Sequence, residues 1–436
     1  VLFAQLFILI ILISGFVYLA FGNPFKKDPV DNQSGKPVAD DEEGKEKEET
    51  VDIGQLIDEV LQESEDLALA YYYQEAIDKL QEFEEKNGSH EKLTQAMNQY
   101  QTQIEELVPF GAYDKVEEVH HIFFHSLIAD TSKAFDGDHK ENGYNYYMTT
   151  ISEFIEMMKQ MYEDDYVLVS IHDLVKPVEQ EDGSIKMELG DLMLPPEKKP
   201  FILSQDDVNY YEYMTGDGFA SRAVTDENGR PSTEMILEDG SRVVGDYDMV
   251  PVLESFIKEH PDFSYKGARG ILALTGYEGT LGYRTNDPSS PTYEEDKETV
   301  KEVVKVLKEW GWEFASHSYG HRNMDKYGYG FLIEDTDRWL EEVGALVGPT
   351  DIYIFPYGID IEDHTGYDSD KYQYLKDSGF LYYCGVFKSP WMQRTDDYVR
   401  MTRRPLDGQA MLEFPERLED LFDLDKVIDP ARPPLQ

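Results

Sequence analysis

Cysteine is almost absent: Cys384 is the only one in 436 residues. No disulfide within the chain and no thiolate metal cluster can form. Cys384 sits in the apolar run 380–386 and reads as a buried, inert thiol. Basic side chains are scarce, 40 Lys and Arg against 88 Asp and Glu, for a formal net charge of -48. This argues against nucleic-acid binding through phosphate neutralisation and against docking on anionic head groups. It fits a strongly solvated surface. A Gly-x-Ser-x-Gly elbow is missing too, so acyl-enzyme chemistry has no support. Finally, residues 1–22 hold no charged side chain.

The apolar fraction of 41% is enough for a substantial core, and the chain is long enough for one large domain with accessory parts. As a helix, residues 1–22 would be about 33 Å long, sufficient to cross a bilayer. They are expected to be a single-pass transmembrane anchor. Ala20-Phe21-Gly22 also resembles a cleavage site, so secretion after cleavage is the alternative. Residues 23–50 read as a disordered acidic linker. Residues 51–109 read as a helical hairpin region, with Leu56, Val60 and Leu67, then Ala76, Ile77, Leu80 and Phe83, at helical spacing. A protein partner for this region is one expectation; packing on the main domain is the other.

From residue 110 to 436, strand and helix patterns alternate, which implies α/β with a parallel sheet. Strands are expected at 119–127, 166–171, 201–204, 270–275, 312–315, 351–355 and 381–386, with helices at 147–161, 250–259, 293–310, 335–347 and 371–378. Hairpins should turn at Asp182-Gly183, Asn228-Gly229 and Asp239-Gly240. Three polar clusters each follow a strand: Asp206-Asp207, His317 with His321, and Pro356-Tyr357-Gly358. In β/α barrels functional residues gather at the C-terminal ends of strands. Two imidazoles and a carboxylate make a ligand set for a borderline divalent metal such as zinc. The second Asp could then act as a base on the water such an ion activates.

The chain resembles the NodB-type polysaccharide deacetylases, carbohydrate esterase family four, over roughly residues 119–386. The family's Thr-Phe-Asp-Asp motif corresponds to Ser204-Gln205-Asp206-Asp207, and its His-Ser/Thr-x-x-His motif is matched in full by His317 to His321. Its Arg-x-Pro-Tyr/Phe-Gly motif is matched at Pro356-Tyr357-Gly358, with Ile354 at the Arg position. Phe123-Phe124-His125-Ser126 looks like the opening strand of the exopolysaccharide-deacetylase branch. The resemblance implies a distorted (β/α) barrel of the polysaccharide deacetylase type and metal-dependent removal of acetyl groups from an extracellular or cell-wall polysaccharide. It implies that Asp207, His317 and His321 bind the metal, that Asp206 is the general base, and that the Tyr357 N–H stabilises the oxyanion.

The family's last motif, Leu-x-His, supplies a proton to the leaving group; no such His follows His364. His125 is the first substitute, His364 the second, while His120 and His121 read as structural. Arg403 or Arg404 could replace the Arg missing at Ile354. Tyr277, Tyr283 and Arg284, in a Gly-rich loop after a strand, could line a sugar subsite with Pro356; the same loop reads equally as a plain turn. The rival to catalysis is an impaired deacetylase fold that binds glycan or acts as a scaffold. A glycan substrate would place the catalytic domain outside the membrane, against the opposite indication of Lys26 and Lys27.

Overall fold

The computed structural model describes residues 52–111 and 119–435. The expected anchor and linker lie outside the described residues. Among the described residues no helix is long and apolar enough to cross a membrane. The chain from Ile53 on forms one compact unit.

Seven parallel strands close into a barrel: β1 (His120–Phe124), β2 (Lys199–Gln205), β3 (Ile271–Leu274), β4 (Glu313–Ser316), β5 (Ile352–Ile354), β6 (Tyr382–Val386) and β7 (Val399–Pro405). Each pairs with the next in sequence order, and β7 pairs with β1 to complete the ring. On one side the wall is split. The first half of β2 pairs with a short strand, Tyr166–Leu168, and only its second half pairs with β3. The expected run of strands stops at 386, whereas β7 closes the barrel. Its sequence, Val-Arg-Met-Thr-Arg-Arg-Pro, carries three cations and lacks the continuous apolar signature of a strand buried on both faces.

Alternation along the strands sorts side chains into two apolar layers. Phe201 and Leu203 of β2 face the surrounding helices, together with Ile122, Phe124, Leu272 and Leu274. Ile202 faces the barrel interior with Ala273, Ala315, Ile354, Cys384 and Met401. Cys384 is buried, and burial pushes its thiol up to about 12, as an inert thiol requires. Among the helices of the outer layer are α4 (Ile151–Glu163), α5 (Met249–Glu259), α6 (Tyr293–Glu309), α7 (Tyr329–Trp339) and α8 (Asp370–Asp377). Helix α4 starts at a capping box of Thr150 and Glu153, and α6 has Glu294, Glu295 and Asp296 in its first turn, where the helix dipole favours anions. Helix α7 begins at Tyr329 rather than at 335 and runs into a π turn, Leu340–Gly344. The three expected hairpins are present.

Three further helices precede the barrel: α1 (Ile53–Leu69), α2 (Tyr73–Asn87) and α3 (Glu91–Glu106). Their apolar stripe, which includes Ile57, Val60, Ile77, Leu80 and Leu93, joins the same cluster as the barrel interior. The turn between α1 and α2 anchors them. Tyr71 Oη donates to the Asp262 carbonyl (3.0 Å), Tyr72 Oη to the Lys266 carbonyl (2.6 Å), and the Lys266 N–H to the Ala70 carbonyl (3.0 Å). Asp262 and Lys266 lead into β3, so these helices cover the N-terminal end of the barrel and leave the other rim open.

Candidate active site

The three polar clusters meet on the C-terminal rim. Asp206 and Asp207 leave the end of β2, His317 and His321 follow β4, and the Pro356–Gly358 turn follows β5. One ligand atom from each of Asp207, His317 and His321 lies within 4.8 Å of the others. His321 Nε2 is 3.9 Å from Asp207 Oδ2.

The groups around these side chains leave the converging atoms free. His317 Nδ1 bonds the Ile354 carbonyl (2.8 Å), which directs Nε2 into the cluster. Burial pushes the His317 ring pKa down, so the imidazole is neutral, the form that ligates metal. Tyr211 Oη donates to Asp207 Oδ1 (2.7 Å), leaving Oδ2. Asp335 of α7 accepts from the Tyr319 N–H (2.7 Å) and the Gly320 N–H (2.8 Å), pinning the loop between the two His. Asp207, Ser318 and His321 all have left-handed backbones, with φ of 56°, 56° and 48°. Such conformations cost of order 1–3 kcal/mol each and persist where surrounding structure imposes them. The residues present therefore suit a divalent cation: two imidazoles and one carboxylate, with His317 and Asp207 each held from behind by a hydrogen bond.

Asp206 is held differently. Arg403 of β7 grips it with two hydrogen bonds, Nη1 to Oδ1 (2.6 Å) and Nη2 to Oδ2 (2.9 Å). Burial pushes the Asp206 carboxyl up, but the Arg403 charge and its paired hydrogen bonds outweigh it and hold the group well below the usual carboxylate range. Asp206 is thus ionised, with lone pairs left to accept a proton. His317 Nε2 lies 3.8 Å from its Oδ2. Arg404, the other cation considered for this role, points elsewhere, to Asp420 and His120.

Tyr357 sits in a strained turn, with φ 60° and an exposed ring packed on the His321 ring at a centroid distance of 4.6 Å. Its N–H finds no acceptor among the described residues. His125 follows β1, and its Nδ1 is buried without a hydrogen-bond partner among the described residues. Burial pushes the Asp407 carboxyl up to about 6, against the opposing pull of the Ala410 N–H and of His125. His364 is exposed, beside Asp363.

The four residues expected to line a sugar subsite are placed differently from one another. Tyr277 is 38% exposed, and its ring stacks on Tyr211, which stacks on Tyr213 in turn. Tyr277, His321, Arg322, Phe331 and Tyr357 line a cavity of about 520 Å³. Tyr283 is buried instead, its hydroxyl donating to the Ala223 carbonyl (3.1 Å) beneath Arg222. Arg284 ties its own loop together through the Glu278 and Tyr210 carbonyls (2.6 and 2.7 Å). Pro356 is buried and serves the turn. Tyr283 and Arg284 thus tie the Gly-rich loop to Ala223 and Tyr210 on neighbouring segments.

Sequence reasoning missed Asp335, Tyr211 and Asp407. Tyr211 had a faint signal, four residues after Asp207, and Asp407-Gly408 reads as a helix start, which it is: Asp407 Oδ1 accepts the Ala410 N–H (2.8 Å). Asp335 had none, because its partners are backbone N–H groups.

No protein-family model matches the chain, and no curated protein matches it. Among solved structures, the chain is similar to a Streptococcus pyogenes deacetylase in complex with acetate. The identity is 12% over 70% of this chain and 98% of that one, with a TM-score of 0.36. It is also similar to a polysaccharide deacetylase from Bacillus cereus, at 12% identity over 69% of each chain and a TM-score of 0.36.

Proposed function

We propose that this chain is a divalent-metal-dependent hydrolase that removes acetyl groups from a polysaccharide, in the manner of the NodB-type deacetylases it resembles. The observation that carries the reading is the convergence of Asp207, His317 and His321 within 4.8 Å, beside an Asp206 gripped by Arg403. Asp207, His317 and His321 would hold the ion, with zinc the first candidate for this donor set. When bound, a divalent cation acidifies water and polarises the acetyl carbonyl.

The chain's own residues supply the rest. Asp206 takes the proton of the attacking water. Arg403 keeps Asp206 ionised and aimed, the task of the Arg absent at position 354. The Tyr357 N–H donates to the oxyanion that develops on the carbonyl. His125, backed by Asp407, gives a proton to the departing nitrogen or oxygen. The exposed rings of Tyr277, Tyr213 and Tyr357 offer flat faces for sugar rings. The scaffold alternative drew on Ile354 and on the missing last His; the Arg403 grip on Asp206 and the place of His125 after β1 weigh against it. Phe123-Phe124-His125-Ser126 supports the exopolysaccharide-type branch, and the apolar residues 1–22 support a membrane-anchored enzyme with its catalytic part outside.

Acetate release from N-acetylglucosamine oligomers tests the reading. The purified chain should release acetate, lose this activity on chelation, and regain it with zinc. Absence of release from these and from O-acetylated glycans, with the metal bound, would sink it.

A further inference from the structure

The barrel interior contains a polar pair the proposed reaction does not use. His121 of β1 and Ser204 of β2 are both fully buried. Ile202, Ala273, Ala315, Ile354, Cys384 and Met401 are the apolar side chains that share the barrel interior with them. His121 Nε2 lies 3.0 Å from Ser204 Oγ, and Ser204 Oγ accepts from Arg403 Nη1 at 3.2 Å. His121 Nδ1 has no partner. Burying an imidazole with one nitrogen unpartnered is unfavourable, and an apolar pair of the same shape would fill the place without that penalty.

What the pair touches is the group that holds Asp206. The Arg403 guanidinium lies over the Phe123 ring, 4.2 Å from the centroid. A flat ring fixes the tilt of a guanidinium but not its rotation in its own plane. Among the described residues Arg403 Nε has no partner either, so no hydrogen bond at that end resists such rotation. Ser204 Oγ is the contact beyond Asp206 itself that does. It can do so only if its hydroxyl proton points away from Arg403. His121 enforces this in either tautomer. With Nε2 bare, Ser204 gives its proton to the ring and keeps its lone pairs for Arg403; with Nε2 protonated, one lone pair takes the ring N–H and another takes Arg403. Burial, and then the Arg403 charge, push the His121 ring pKa well down, so the ring is neutral and does not repel the guanidinium.

We propose that His121 and Ser204 are positioning residues: through Ser204 Oγ they lock the in-plane orientation of Arg403, and through Arg403 they aim the Asp206 carboxylate. This rests on the deacetylase reading for its kinetic consequence, but not for its structural one. An Asp206 left to swing with Arg403 would lose the alignment a general base needs, and misplacement of this kind costs about tenfold or more in rate.

The test uses the full chain with Ser204→Ala, His121→Leu and His121→Gln. Ser204→Ala and His121→Leu should lower kcat for acetate release about tenfold while KM and bound zinc stay at wild-type values. His121→Gln, whose amide can still meet Ser204 Oγ, should recover most of the loss. Crystal structures of Ser204→Ala and wild type give a readout free of activity: in the variant Arg403 should lose its paired bonds to Asp206 or take more than one orientation. Arg403 unchanged on Asp206 in Ser204→Ala, or a kcat equal to wild type in both loss variants, would overturn the proposal. A wild-type chain that releases no acetate would defeat the deacetylase reading, and the crystallographic comparison would still decide the positioning role.

Discussion

Asp206 and Asp207 are adjacent in sequence, yet their surroundings divide the work between them. Asp207 is half-buried, gives one oxygen to Tyr211 and turns the other toward two imidazoles. Asp206 is buried and ion-paired on both oxygens. The account therefore predicts that Asp206→Asn keeps its zinc but loses acetate release by roughly 10²–10⁴-fold, the range for a general base. Metal content by mass spectrometry beside a kinetic assay checks this, and loss of zinc along with activity would count against the division of roles. At this scale the convergence of Asp207, His317 and His321 beside Asp206 was legible, because their spacing within two short motifs is local. Arg403 was only one of two candidates. It reaches Asp206 from 197 positions away, and no local pattern marks which of two neighbouring arginines faces inward. Strand alternation decides it: Arg403 points into the barrel, and Arg404 points out to Asp420.

The elements matter through how they deliver backbone. The Pro356–Gly358 turn must hold the Tyr357 ring on His321 while lying against β6. Gly358 permits both: its φ is +66°, and a Cβ there would stand 2.2 Å from the Val386 Cβ and 2.9 Å from the Val386 nitrogen. Gly358→Ala is expected to destabilise the fold by about 1–3 kcal/mol and to reduce kcat more than zinc binding, because the turn would have to lift from β6. Urea unfolding with parallel kinetics measures both, and an unchanged midpoint would show that the turn has slack. The missed element was β7. Its polar composition hid a strand whose inward positions, Val399, Met401 and Arg403, serve both the core and the site. The Gly-rich loop after β3 misled in the opposite sense, since its Tyr283 and Arg284 face inward and only Tyr277 reaches the cavity.

For the whole molecule, the two ends of the barrel have different tasks. The site occupies one rim, and α1–α3 cover the other. At that covered end His172 bridges the starts of β4 and β5, with Nδ1 2.6 Å from Glu313 and Nε2 3.1 Å from Asp351. Burial alone would push its pKa down, but the hydrogen bonds to Asp351 and Glu313 overcome this and raise it to about 10. A raised folded-state pKa contributes stability that is full below the unfolded value of about 6.5 and is lost as pH rises through about 10. Wild-type Tm should accordingly fall between pH 7 and pH 10, and His172→Gln should start lower at pH 7 and show a shallower fall; parallel curves would exclude this bridge as the cause. The alternation of strands and helices made the barrel legible as a class, while the split wall beside β2 and the closure by β7 depend on long-range pairing that no local window contains. The central claim is that one cation belongs on the open rim. An anomalous difference map at the zinc edge, from crystals of the zinc-loaded protein, tests it most directly: the account predicts a peak between Asp207, His317 and His321, and zinc bound elsewhere with no density among those three side chains would contradict it.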